Sequence, residues 1–289
     1  MTSNQPKMTP EMAARLESMK RQWESRRRLD QKLSAIKHKI AVYSGKGGVG
    51  KTTVAVNLAV LLADKGFKVG LFDVDIDCPN VVKLMKLQEQ PLYREDKTLY
   101  PPEKYGVKVI SMSMFQEKED EAIIFRGPMI HNAIMQFLEM TEWGPLDFLI
   151  IDMPPGTSDA ALTTMQTFKL DGFIIVATPQ ELAVLDATRS INMVKKMKVN
   201  VLGVVENFVS EFFGEGGAEE MARRTGVKFL GKLHLSKDFR NTEKPTVLLS
   251  KAVRQEFERI WANVELPDPA SVVSGPQDGG PAGPPQGAG

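Results

Sequence analysis

Along the chain, short blocks of consecutive apolar residues alternate with longer segments whose apolar positions recur every three or four residues. The blocks Ile40–Ser44, Val69–Asp73, Val107–Met112, Phe148–Asp152, Phe173–Thr178, Val201–Glu206 and Phe229–Leu233 read as strands. Most are continuously apolar rather than alternating, which is the pattern of parallel strands covered on both faces. The segments Thr52–Lys65, Met129–Thr141, Asp159–Thr167, Leu182–Met197, Ala218–Thr225 and Lys251–Asn263 carry helical periodicity. The alternation predicts an α/β fold: a doubly wound, mostly parallel sheet with helices on both faces. Ligands on such sheets bind at the carboxyl ends of the strands.

Both flanks depart from this rhythm. From Pro10 to about His38 the pattern predicts a helical extension, with Thr9 as N-cap and Pro10 at the first position. Met12, Leu16, Met19 and Trp23 make one apolar stripe, and Leu29, Leu33 and Ile36 continue it after a break at Arg26–Arg28. Such a stripe packs on the domain or on a partner subunit; the arginine triplet leaves nucleic acid or a membrane as alternatives. Beyond Leu266 the residues are mainly Pro, Gly, Ala and Ser, too poor in apolar surface to fold, so a disordered tail is expected there, as over residues 1–8.

Composition and charge narrow the setting. The 289 residues are 42% hydrophobic and 25% charged, the mix of a soluble globular protein. The formal net charge is +1, yet residues 1–40 hold ten lysines and arginines against four acids, so a basic arm precedes a mildly acidic body. The arm keeps DNA in view as a partner; the whole molecule offers no strong argument for nucleic acid. No apolar run is long enough to cross a bilayer, and the polar N-terminus carries no secretory signal, so neither a membrane nor export is expected. The lone cysteine, Cys78, excludes an internal disulfide framework and fits a reducing cytoplasm.

The chemistry concentrates after the first strand. Gly45-Lys46-Gly47-Gly48-Val49-Gly50-Lys51-Thr52-Thr53 satisfies G-x-x-x-x-G-K-[ST], between a strand and an amphipathic helix as that motif requires. Its glycines let successive backbone N–H groups turn toward phosphate oxygens, and the following helix adds its positive end. Lys51 would neutralise β- and γ-phosphate charge, and the Thr52 hydroxyl would ligate Mg²⁺. Lys46 is not needed to cradle one nucleotide; it either stands solvated or reaches a nucleotide on a neighbouring subunit. The next strand delivers Asp73, Asp75 and Asp77 at alternate positions, where a carboxylate can orient an attacking water or contact the Mg²⁺ shell. Four apolar residues then deliver Asp152, placed to hold a Mg²⁺-bound water, before a stiff Met153-Pro154-Pro155-Gly156 turn.

Taken together, KGGVGKTT, DVDIDCPN and DFLIIDMPPGTSD resemble the deviant Walker A ATPases, a group that includes MinD and ParA. With Phe125-Arg126-Gly127-Pro128-Met129, Thr178-Pro179-Gln180, Glu206-Asn207 and Phe213-Gly214-Glu215-Gly216-Gly217, the chain most resembles Mrp/ApbC-type iron–sulfur cluster carrier ATPases over roughly Lys39 to Asn263. The resemblance implies a slow, dimer-dependent ATPase in a nucleotide-gated homodimer, serving iron–sulfur scaffold or apo-client proteins. It implies Lys46 as the lysine acting across the dimer, Asp75 as the carboxylate positioning water, Asp152 as the second switch acid, and Asn207 as the reader of adenine. It also implies a shared cluster held by a Cys-x-x-Cys pair, but the corresponding interval here, Phe208-Val209-Ser210-Glu211-Phe212, has no cysteine. A cluster normally takes about four thiolates and a dimer of this chain owns two, so the cysteine count does not support one. His38, His131 and His234 form no ligand pair, and Cys78 reads as a packed or incidental thiol, with cluster ligation or redox sensing as the alternative. A ParA- or MinD-like switch on DNA or a protein partner is the alternative, without a MinD-type C-terminal membrane helix. The expected division is a basic helical arm at 1–38, a P-loop ATPase domain at 39–266 and a tail at 267–289.

Overall fold

The computed structural model describes residues 9–76, 78–115, 127–157, 161–162, 164–165 and 168–267. Helix α1 (Pro10–Ser34) leads into strand β1 (Ile36–Ser44), then α2 (Lys51–Asp64), β2 (Val69–Asp73) and the short α3 (Val81–Met85). Three two-residue strands follow, β3 (Leu92–Tyr93), β4 (Leu99–Tyr100) and β5 (Glu103–Lys104), ahead of β6 (Val107–Ser111) and α4 (Gly127–Met140). The rest alternates: β7 (Leu146–Asp152), β8 (Gly172–Ala177), α5 (Glu181–Lys196), β9 (Val201–Val209), α6 (Gly217–Thr225), β10 (Phe229–His234) and α7 (Lys251–Ala262).

The main sheet has eight strands in the order β10-β9-β8-β1-β7-β2-β6-β5. All neighbours run parallel except β5, which turns back antiparallel on β6. Successive side chains on a strand face opposite ways, and β1 shows the result. Ala41 and Tyr43 enter a core with Leu29 and Leu33 of α1 and residues of α4, α5 and α6, whereas Ile40 and Val42 enter a second core with α2, α3 and α7. The continuous apolar blocks are continuous because both faces are roofed. Strand β1 lies mid-sheet, between β7 and β8, so its carboxyl end opens where connections leave in both directions, the switch point of a doubly wound sheet.

Several boundaries differ from the sequence reading. Ile36 fits the helical stripe after Leu33, but α1 stops at Ser34 and Ile36 instead pairs with Leu146 at the start of β1. Burial against the core, with Ile36 1% exposed, outweighs one more helical turn. Strand β9 runs three residues past Glu206, and β6 gives way at Met112 to a 3₁₀ turn. The expected helix at 159–167 falls mostly outside the described residues, as do residues 1–8 and the Pro/Gly tail from 268 onward. Among the described residues no helix is long and apolar enough to cross a membrane.

Helix α1 divides in two. Leu29 and Leu33 are buried, while Met12, Leu16, Met19 and Trp23 are 58%, 60%, 44% and 63% exposed. Leu33→Ala should therefore lose about 2–5 kcal/mol of unfolding free energy, whereas Leu16→Ala should change it by less than about 0.5 kcal/mol. Urea midpoints for the two variants check the difference.

Candidate functional site

The turn between β1 and α2 is built by glycine for two separate reasons. Gly48 and Gly50 have φ of +80° and +85°, a left-handed backbone that side chains resist. At Gly45 the reason is proximity, because a Cβ there would stand 2.3 Å from the backbone carbonyl of Asp186 in α5. A Cβ on Gly50 would likewise meet the Asn207 side-chain amide at 2.2 Å. The loop is thus clamped between α5 and the end of β9. Two hydrogen bonds fasten it: Ser44 Oγ donates to the Lys46 carbonyl at 2.9 Å, and Asn207 Nδ2 donates to the Val49 carbonyl at 2.8 Å. No side chain caps the start of α2, so its first N–H groups and positive dipole end serve the loop.

Parallel register carries three carboxylates to the same edge. Asp152 ends β7 opposite Val42 of β1, and Asp73 ends β2 opposite Asp152. Lys51, at the first position of α2, lies buried among them, its Nζ 2.6 Å from Asp152 Oδ1 and 3.5 Å from Asp75 Oδ2. Burial pulls the Lys51 ammonium down, but Asp152 and Asp75 overcome it and hold the group above its ordinary range. Burial pushes both Asp152 and Asp73 upward, with Lys51 opposing the rise in each.

The acids differ in what else they touch. Asp73 is a clasp: it accepts from Ser111 Oγ at 2.9 Å, from the Asp75 N–H at 3.1 Å and from the Val81 N–H at 3.3 Å. Asp75 accepts one weak bond, from the Cys78 N–H at 3.3 Å. Asp152 Oδ2 is buried with no hydrogen-bond partner among the described residues, an acceptor left to meet a cation or a water. Asp77 lies outside the described residues. Lys46 is half-buried, and its side chain makes no hydrogen bond or ion pair among them.

Beside the loop, a cleft of about 230 Å³ opens between α2, the end of β9 and the segment 239–246. Thr53, Asn57, Asn207, Phe208 and Thr246 line it. Phe208 carries φ +62°, a strained setting for a bulky residue at a site wall. Asn57 was not singled out from sequence, yet it ties the cleft together. Its Nδ2 donates to the Thr53 carbonyl at 2.8 Å and its Oδ1 accepts from the Val247 N–H at 2.7 Å. The signal was available as a lone amide inside the apolar run VAVNLAVLLA.

Two further contacts set the surroundings. The Tyr43 hydroxyl donates to the Gly156 carbonyl, and the Gly156 N–H donates to the Ser44 carbonyl at 2.9 Å, which ties the turn after β7 to the strand before the loop. Burial pushes the Tyr43 phenol up to about 12. Glu206 accepts from the N–H groups of Gly216 and Ala218 at 2.9 and 2.8 Å, capping α6. The histidines lie apart: His38 stacks on Phe148, and His234 bonds Glu256 at 2.7 Å, while the His131 side chain is outside the description. Cys78 is exposed, which removes the packed half of the expectation for it. Among the described residues no three His, Cys, Asp or Glu side chains are grouped to hold a metal ion.

With this geometry in place, comparison with known proteins is informative. The family model of the NUBPL iron-transfer P-loop NTPases matches residues 35–265. An iron–sulfur cluster carrier protein of Pyrococcus horikoshii is 46% identical over 227 residues, 71% of this chain and 77% of the relative. The mitochondrial iron–sulfur protein required for NADH dehydrogenase of Arabidopsis thaliana is 43% identical over 249 residues, covering 79% of each chain. Among solved structures, the nucleotide-binding protein of Archaeoglobus fulgidus in complex with ADP superposes with TM-score 0.65 at 33% identity, covering 85% of this chain and 96% of that one. The cell division ATPase MinD of Pyrococcus furiosus shares the fold at TM-score 0.59 and 21% identity, covering 78% and 97%.

The clamp on the loop has a direct test. Gly45→Ala forces a Cβ into immovable backbone and should cost about 1–3 kcal/mol of stability or more. Gly48→Ala meets nothing within 4 Å and should lose only the left-handed backbone penalty of about 1–2 kcal/mol. Paired thermal and urea unfolding curves measure both.

Proposed function

The chain belongs to the iron-transfer P-loop NTPases, and from that premise we propose that it binds Mg-ATP in the loop Gly45–Thr53 and hydrolyses it slowly as a homodimer that serves iron–sulfur cluster delivery. The observation that carries the reading is a buried lysine held between two carboxylates at the mouth of a glycine loop. Such a lysine is stored with a charge that a polyphosphate can claim.

Entering phosphates would meet the N–H groups from Gly45 to Thr53 and draw Lys51 Nζ away from Asp152 and Asp75. Asp152 Oδ2 and the Thr52 hydroxyl fit a hard cation: one is a buried acceptor lacking a partner, the other a neutral oxygen on the same side. Mg²⁺ bound there, reaching Asp152 through water, would neutralise charge on the β- and γ-phosphates. Released from Lys51, Asp75 would accept a hydrogen bond from the attacking water and align it. The water oxygen bonds to the γ-phosphorus while the bond to the β,γ-bridging oxygen breaks, yielding ADP and inorganic phosphate, with the water proton carried off on the phosphate. Lys46, whose side chain has no partner among the described residues, would supply positive charge to the nucleotide of the other subunit.

The cleft beside Thr53 suits the base. Asn207 uses one of its two Nδ2 hydrogens on the Val49 carbonyl, which leaves Oδ1 able to accept from the amino group of adenine and the second Nδ2 hydrogen able to donate to a ring nitrogen. The cluster itself is cargo. Cys78 is exposed and is the only cysteine in the sequence, so the remaining ligands would come from the scaffold or apo-client protein that gives or takes the cluster.

Lys51→Ala should abolish the rise in melting temperature that Mg-ATP gives the parent chain, since ligand binding to the native state alone raises stability. A shift that persists in that variant would place the nucleotide elsewhere. Asp75→Ala should retain the shift and lose turnover by about 10²-fold or more. Lys46→Ala should bind as before while turnover per subunit no longer rises with protein concentration. Anaerobic reconstitution with iron and sulfide tests the cargo: a visible chromophore lost in Cys78→Ala is expected if the chain contributes a ligand.

A further inference from the structure

The exposed half of α1 is apolar on one side only. Steps of four, three and four residues keep Met12, Leu16, Met19 and Trp23 within an arc of about 60°. Arg15 and Arg26 border that arc on one side, Lys20 and Arg27 on the other, and Glu17 and Glu24 fall on the back of the helix. The Arg27 guanidinium lies over the Trp23 ring at 5.6 Å. The side that anchors the helix is a different one. Ser25 and Arg28 bond the Glu139 carboxylate of α4 at 2.7 and 2.8 Å, Lys32 bonds the Glu139 carbonyl at 2.7 Å, and Leu29 and Leu33 enter the core. The second half therefore holds the body mainly through residues turned about 70° or more from the centre of the stripe that the first half offers.

We propose that the first half of α1 docks on an anionic lipid surface. Four large apolar side chains would enter the acyl boundary while the bordering arginines and lysine extend their stems along it and carry their charges to lipid phosphates. The charge arrangement selects this occupant. Pairing with a second copy along the same stripe would set Arg15, Lys20 and Arg27 against their own like. A phosphate backbone alone would satisfy the cations and leave the stripe in water. With four anchoring side chains the attachment is reversible and depends on anionic lipid. The chain would touch a bilayer without crossing it, which amends the expectation of no membrane contact. The proposal does not rest on the nucleotide reading.

The test is sedimentation of the full chain with phosphatidylcholine vesicles and with vesicles in which a third of the lipid is phosphatidylglycerol, at low salt. Binding should rise about tenfold or more with the anionic lipid and fall again as salt is added. The emission of Trp23 should shift to the blue on binding, a change absent in Trp23→Phe. Leu16→Glu should lose the binding with its circular dichroism and melting temperature unchanged, and Arg15→Gln combined with Arg26→Gln should weaken it several-fold. Equal binding to neutral and anionic vesicles, or full binding by Leu16→Glu, overturns the proposal. So does self-association of the parent chain that Leu16→Glu abolishes, or retention on duplex DNA without retention on vesicles.

Discussion

An ammonium and three carboxylates are enclosed at the carboxyl end of a parallel sheet, and the rest of the site is arranged around that burial. Charges removed from water cost several kcal/mol each unless paired and hydrogen-bonded. The sheet meets the cost by geometry: β1, β7 and β2 are adjacent and in register, so Asp152 and Asp73 arrive side by side where α2 introduces Lys51. The Asp73 oxygens are satisfied by donors from Ser111, Val81 and Asp75, which leaves Lys51 to Asp152 and Asp75. The set is balanced only with the lysine folded inward. In the proposed cycle a polyphosphate would draw the lysine away, and in doing so free both acids together.

The surrounding backbone has little freedom to blur that exchange. Gly45 is pressed on α5 and Gly50 on Asn207, so the course of the loop is held by its neighbours. Asn57 bonds both Thr53 and Val247, joining the first turn of α2 to the wall of the neighbouring cleft. Asn207, the residue proposed to read a base, is fastened to the Val49 carbonyl of the loop proposed to hold the phosphates.

How much of this was legible in the sequence depends on how local the cause is. The parallel strands announced themselves because both faces are roofed, and the phosphate loop because glycine is required there by backbone angle. Asp152 was legible as an acid ending an apolar block. The division of labour between Asp73 and Asp75 was not, since it is decided by Ser111, distant along the chain, and by the way the following loop turns the Val81 N–H back on Asp73. The clamp on Gly45 depends on Asp186 and is equally silent in the local pattern. Helix α1 was extended too far because Ile36 suits either a helical stripe or a strand, and only its pairing with Leu146 decides. The short strands β3 to β5 and helix α3 are too brief for any periodicity to show.

The bond from the Tyr43 hydroxyl to Gly156 has a mechanical consequence. Tyr43 sits one residue before Ser44, whose carbonyl receives the Gly156 N–H, so the stretch from Asp152 to Gly156 is riveted twice to the strand that feeds the phosphate loop. A rigid rivet cannot also be a pivot. In the proposed cycle the four residues Met153–Gly156 would therefore act as a fixed lever arm held against β1 when the terminal phosphate departs.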